Sequence, residues 1–126
     1  DLASVRLSLQ ASVAATYFDL AGLDREAATL TQTIDTYRRA WQLTVSRHRG
    51  GLASGLDVSR ARTQLALARA RASDIAARRA LDEHAIAALV GTSASTFTLP
   101  PVAALPGVPA IPTGLASTLL ERRPDI

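Results

Sequence analysis

Arg49-Gly50-Gly51-Leu52-Ala53-Ser54-Gly55 separates two long runs of helix-forming sequence, and the fold follows from that interruption. Three glycines in six residues release the backbone from helical geometry. On the N-terminal side, residues 2 to about 49 contain no Pro and, before the end, a single Gly. Their apolar positions recur at alternating steps of three and four, which reads as helix. Leu20, Leu23, Ala27, Leu30, Ile34, Tyr37, Trp41, Thr44 and His48 keep that rhythm without a slip, forming a heptad seam of the coiled-coil kind. Leu7, Ala11, Ala14, Phe18, Ala21 and Ala28 keep the same alternation on another side, with Arg25 at the one position that breaks it. This helix therefore has two packing faces.

On the C-terminal side, Ser54 is placed to cap a second helix, and Asp57 stands three residues on as an acidic partner for the new N-terminus. From Leu56 to about Val90 there is no Gly or Pro, and the residues are largely Ala, Leu, Arg and Gln, all strong helix formers. Gly91 supplies the stop. At ~1.5 Å per residue the helices measure roughly 70 and 50 Å, and so short a connection makes them antiparallel. The fold class is all-α: a coiled-coil-like hairpin over residues 1–91, with helices at about 2–49 and 55–90 and a tip at 49–55.

Spacing at 100° per residue gives the second helix four stripes. Val58, Ala61, Leu65, Ala68, Ala72 and Ile75 form one apolar stripe; Leu56, Thr63, Leu67, Ala70, Ala77 and Leu81 form another, nearly opposite. Arg60, Arg71 and Arg78 fall between them on one side, Arg62 and Arg69 on the other. Two apolar seams separated by two charged faces describe a stave, with a neighbour on each flank and water in front and behind. A hairpin covers one of these seams, so the other needs a partner from elsewhere.

Residues 92–126 change character. Pro100, Pro101, Pro106, Pro109 and Pro112 predict an extended link up to about Thr113, followed by a short helix from about Ala116 to Arg122 that Pro124 ends.

Composition closes off several functions. With 48% apolar residues in 126 the chain buries a substantial surface in at most one domain, but 25 Ala against five aromatics suit close helix contacts better than a thick core. Without Cys there is neither a disulfide nor a thiolate metal site, and His48 and His84 are the only histidines. The net charge of +3 is carried by 14 basic residues, all Arg, without the one-sided basic patch and exposed aromatics of a nucleic-acid reader. No stretch approaches 18 uninterrupted apolar residues. The chain begins at Asp1 inside a helical pattern, which reads as a segment of a longer protein.

Three patches resemble the outer membrane factors of tripartite efflux and type I secretion systems, the TolC-like proteins, and particularly their NodT-like lipoprotein branch. These are Ala14-Ala15-Thr16-Tyr17-Phe18-Asp19-Leu20, then Gly51-Leu52-Ala53-Ser54-Gly55-Leu56-Asp57-Val58, and finally Leu119-Leu120-Glu121-Arg122-Arg123-Pro124-Asp125-Ile126, the most distinctive of the three. Their order and spacing extend the resemblance over essentially the whole chain. It implies a periplasmic portion of an outer-membrane protein whose subunit has two similar halves, each with membrane strands and long periplasmic helices, three subunits closing one tunnel. Residues 92–126 are then the equatorial link and the start of the second half. Gly51, Leu52, Ala53 and Ser54 stand where the family's tip meets a periplasmic adaptor protein, which connects to an inner-membrane pump; Gly50 replaces the family's Val and Ala53 is interposed. Asp57 matches an acidic position in the polar links that hold the entrance shut. The resemblance implies no cofactor, no metal and no catalysis, and a fragment that is monomeric or weakly associating.

Each of these features has a plainer explanation. The glycines simply reverse the chain; no strand precedes them and no Lys follows, so they make no phosphate loop. Asp57 is a first-turn acid favoured by the helix dipole. Trp41 and Tyr37 read as core, His48 and His84 as seam or surface, and the Arg stripes as solvated faces. The alternatives to a channel segment are the α-hairpin of an adaptor protein, which lipoyl-like β halves would flank, and a plain coiled-coil scaffold, which needs one seam per helix. An enzyme lacks any nucleophile, base and orienting group at workable spacing.

Overall fold

The computed structural model describes residues 2–102 and residue 107, and among them there are two helices and no strand. Helix α1 spans Leu2–Arg49 and helix α2 spans Gly55–Val90, 48 and 36 residues long, joined by a five-residue turn into an antiparallel hairpin. The glycines act where the sequence places them. Gly51 has φ +74°, and its N–H donates to His48 O while Leu52 N donates to Arg47 O, the paired bonds that close a helix through a left-handed residue. Gly91, at φ +77°, ends α2 in the same way, with Gly91 N on Ala88 O and Thr92 N on Ala87 O.

The two helices meet along the predicted seams. Leu20 and Leu23 on α1 and Leu65, Ala68 and Ile75 on α2 are the buried residues of those seams, and Ala21, Ile86 and Ala87 complete the core towards the open end. Nearer the turn the seam thins: Ala27, Leu30, Ile34, Trp41 and Thr44 are half-buried, while Tyr37 and His48, which keep the heptad rhythm, are exposed. Side chains this small bring the helices together over a narrow strip and leave the rest of each cylinder open.

The second stripes stay uncovered except at Ala21, which is buried. Leu56, Leu67 and Leu81 on α2 are 59–66% exposed, and Leu7 and Phe18 on α1 about half. The first turns of α1 run beyond the end of α2, with Leu2 84% and Val5 64% exposed. After Gly91 the chain makes one turn, in which Ser93 O accepts Thr96 N and Phe97 N, and continues without regular structure to Val102. The readings that rest on Pro106, Pro109, Pro112, the helix at 116–122 and the segment 119–126 lie outside the described residues.

Candidate functional site

The four tip residues occupy a turn with few degrees of freedom. Gly50 N donates to Ser46 O at 3.1 Å and Leu52 N to Arg47 O at 2.8 Å, so the chain leaves α1 along a fixed path. Leu52 then projects outward, 82% exposed, the most prominent apolar side chain of the turn. Ala53 turns back: its carbonyl lies 2.8 Å from His48 Nδ1, and its side chain is half-buried. His48 therefore braces the turn from the last coil of α1. Gly55, the first residue of α2, faces His48 Cε1, with 3.9 Å left for an added Cβ.

Ser54 and Asp57 form a reciprocal cap. Ser54 has extended backbone, its Oγ accepts Asp57 N at 3.1 Å, and Asp57 Oδ2 accepts both Ser54 N at 3.0 Å and Ser54 Oγ–H at 2.7 Å. These bonds, the Ser54 hydroxyl first, hold the Asp57 carboxyl below its ordinary value, with the Arg60 charge adding in the same direction. Both bonds that the carboxylate accepts use Oδ2. The sequence pattern anticipated this cap; it brings Ser54 and Asp57 together and leaves Leu52 apart from both.

A second cluster, at the other end, was not anticipated. Arg79 on α2 donates through Nε to Asp24 on α1 at 2.6 Å, through Nη1 to Glu83 at 3.1 Å and through Nη2 to Leu99 O at 2.9 Å. Glu83 accepts Leu99 N at 2.5 Å, and Asp24 Oδ2 accepts Val102 N at 2.9 Å. Both carboxylates and the guanidinium thus tie the Leu99–Val102 stretch across the two helices. The side chains are 7–20% exposed, and the bond to Asp24 raises the Arg79 pKa above its ordinary value. The i,i+4 pair Arg79–Glu83 was visible in the sequence, but Asp24 joins it only through the helix register. A lone cross-helix pair, Arg71 with Glu26 at 2.7 Å, lies closer to the turn and is more exposed.

Among the described residues no His, Cys, Asp or Glu side chains gather as a metal site, and no helix is long and apolar enough to cross a membrane. What the described residues offer is surfaces: an outward-pointing turn, and apolar stripes along both helices that stay exposed.

Comparison with known proteins identifies relatives of this chain. Residues 1–92 match the family model described as outer membrane efflux protein. Among curated proteins, the chain is 35% identical over 125 residues to the probable efflux pump outer membrane protein TtgC and to the antibiotic efflux pump outer membrane protein ArpC, both of Pseudomonas putida. It is 36% identical over 129 residues to the solvent efflux pump outer membrane protein SrpC of the same species. Each alignment covers 98% of this chain and 26% of the relative, so the chain spans about a quarter of the length of the proteins it matches. No solved structure matches it.

Proposed function

The chain belongs to the outer membrane efflux protein family, and on that premise we propose that it is a periplasmic helical-barrel segment of a trimeric outer-membrane channel subunit. In this reading the hairpin forms part of the exit duct of a tripartite efflux or type I secretion system, and its turn docks a periplasmic adaptor that connects it to an inner-membrane pump. The family is one of transport proteins, not enzymes. Its membership leaves the adaptor hairpin and the plain scaffold without support.

The observation that carries this reading is the uncovered stripe along α2. Leu56, Leu67 and Leu81 line the flank opposite the α1 contact while Leu65, Ala68 and Ile75 fill that contact. A free-standing hairpin gains nothing from a second apolar seam; a stave in a closed wall needs one on each flank. Transport through such a wall is passive. The helices of three subunits enclose water, the turn ends move apart as seams slide, and the pump and adaptor supply the driving force. Asp57 serves the entrance through its second oxygen, accepting a basic group from the second half of the subunit or from a neighbouring one.

The docking assignment is tested in the full-length protein by Leu52→Glu, alone and with Ser54→Arg. Assembly with the adaptor and efflux should be lost while outer-membrane insertion and trimer formation are kept. Normal assembly and efflux in both variants would show that the turn is not the docking site.

A further inference from the structure

The sign of the charge along this hairpin divides by end. Residues 36–73, the half around the turn, hold eight arginines and one carboxylate, a net charge of +7. Residues 2–35 and 74–102 hold four arginines and seven carboxylates, a net charge of −3. Four of those carboxylates, Asp24, Glu26, Asp35 and Glu83, are occupied by ion pairs within the molecule. Around the turn the supply of acid runs out. Arg38 and Arg71 are paired only by Asp35 and Glu26, which lie outside that half. Arg47, Arg49 and Arg62 are exposed and have no ion-pair partner among the described residues, and the single acid, Asp57, is held by Ser54. At ~1.5 Å per residue the whole cluster lies within about 25 Å of the turn.

Guanidinium groups crowded in this way repel one another, and carboxylates brought by a partner relieve that repulsion through paired, bidentate bonds. We propose that the turn end of the hairpin is an electrostatic docking surface for an acidic protein partner, the end of the periplasmic adaptor, which presents carboxylates to Arg47, Arg49, Arg60 and Arg62. The proposal rests on the docking reading above and adds to it the chemistry of the partner. A second assembly docked end to end does not fit as the occupant, because it would bring eight more arginines per hairpin with only Asp57 to answer them. Apolar contact alone is a weak alternative: Leu52 is the one large apolar side chain that the turn projects. Recognition and approach rate therefore fall to charge.

The experiment measures binding of the full-length channel protein, in detergent, to its full-length adaptor at about 50 mM and about 500 mM NaCl. Three variants are compared with the parent: Arg47→Gln with Arg49→Gln, Arg60→Gln with Arg62→Gln, and Leu52→Glu. All change exposed side chains, and unaltered trimer elution confirms that each is folded. Parent affinity should fall roughly tenfold or more with the added salt, and each arginine pair should lower low-salt affinity several-fold and flatten the salt response. Salt-insensitive binding, with both arginine variants like the parent and Leu52→Glu defective, would overturn the acidic-partner proposal and leave the docking reading intact. Parent-like binding by all three would overturn the docking reading itself. The same proteins are added to vesicles of phosphatidylcholine with about a third phosphatidylglycerol. Arginine-dependent binding there, with no arginine dependence towards the adaptor, would overturn the proposal in favour of an anionic lipid surface.

Discussion

The open end of the hairpin and the end at the turn are made from the same two helices, yet different forces hold them. Towards the open end the contact is a filled core, with Leu20, Ala21, Leu23, Ile75, Ile86 and Ala87 buried, and polar bonds reinforce it. There Arg79 reaches Asp24 on the opposite helix, and the Leu99–Val102 stretch is bonded over both. Towards the turn the buried contact reduces to Leu65 and Ala68 beside half-buried neighbours. Beyond the exposed Glu26–Arg71 pair, no side-chain hydrogen bond among the described residues joins α1 to α2. A structure with few buried contacts and no polar ties opens locally at low cost, and one with both does not. The hairpin is thus anchored at one end and lightly held at the other, the end where the proposed function requires movement.

The strongest way to break that contrast is to remove an anchor. Leu20, fully buried, should cost about 3 kcal/mol or more as Leu20→Ala in urea unfolding of this chain, because the narrow helix contact leaves little to collapse into the space. Leu67→Ala, on the uncovered stripe at 60% exposure, should stay within about 0.5 kcal/mol. Equal losses would mean that the second stripe is already covered and that the stave description is wrong.

The next contrast compares two arginines, each bonded across the helix pair. Arg79→Met leaves Asp24 and Glu83, 7% and 14% exposed, without their cation, and should cost about 2–3 kcal/mol. Arg71→Met removes a pair whose side chains are 69% and 39% exposed, and should cost less than about 1 kcal/mol. Amide exchange separates the two further. The Leu99 and Val102 N–H groups, accepted by Glu83 and Asp24, should lose protection in the Arg79 variant and keep it in the Arg71 variant. Similar protection in both would mean that the link is held by something other than this cluster.

The same contrast explains which parts of the molecule the sequence revealed. Helix bounds, cap and stops were legible because each depends on neighbours in the chain: Ser54 with Asp57, Gly51 with Arg47 and His48, Gly91 with Ala87 and Ala88. The apolar seams were legible because helical periodicity puts Leu65, Ala68 and Ile75 on one line whatever they meet. Asp24 with Arg79 was not, since 55 residues separate them and their meeting depends on the axial register of two antiparallel helices. Periodicity also overstated the seam near the turn, where Tyr37 and His48 keep the rhythm and lie exposed. A heptad shows which side of a helix faces its partner, and not how far along the axis the contact stays tight. His48 instead braces the turn through Ala53 O, a role set by the path of a five-residue connection and invisible in spacing.

The smallest expected effect lies at the turn and concerns acid. Ser54→Ala should cost about 1 kcal/mol, the usual loss of a hydroxyl N-cap, because Asp57 N then has no side-chain acceptor. Part of the cap works only while Asp57 is ionised. Its carboxyl is held below the ordinary value of 3.8, so the folded form binds the proton more weakly than the unfolded chain does. The resulting stabilisation is fully present above 3.8 and is lost as pH falls through the lower folded value. In Ser54→Ala the side-chain bond that does most to lower that value is gone. The stability difference between parent and variant, followed by urea unfolding from about pH 6 down to about pH 2, should therefore hold steady at first and then narrow. Parallel profiles across the whole range would mean that the bond from the Ser54 hydroxyl to the ionised carboxylate contributes nothing to the cap.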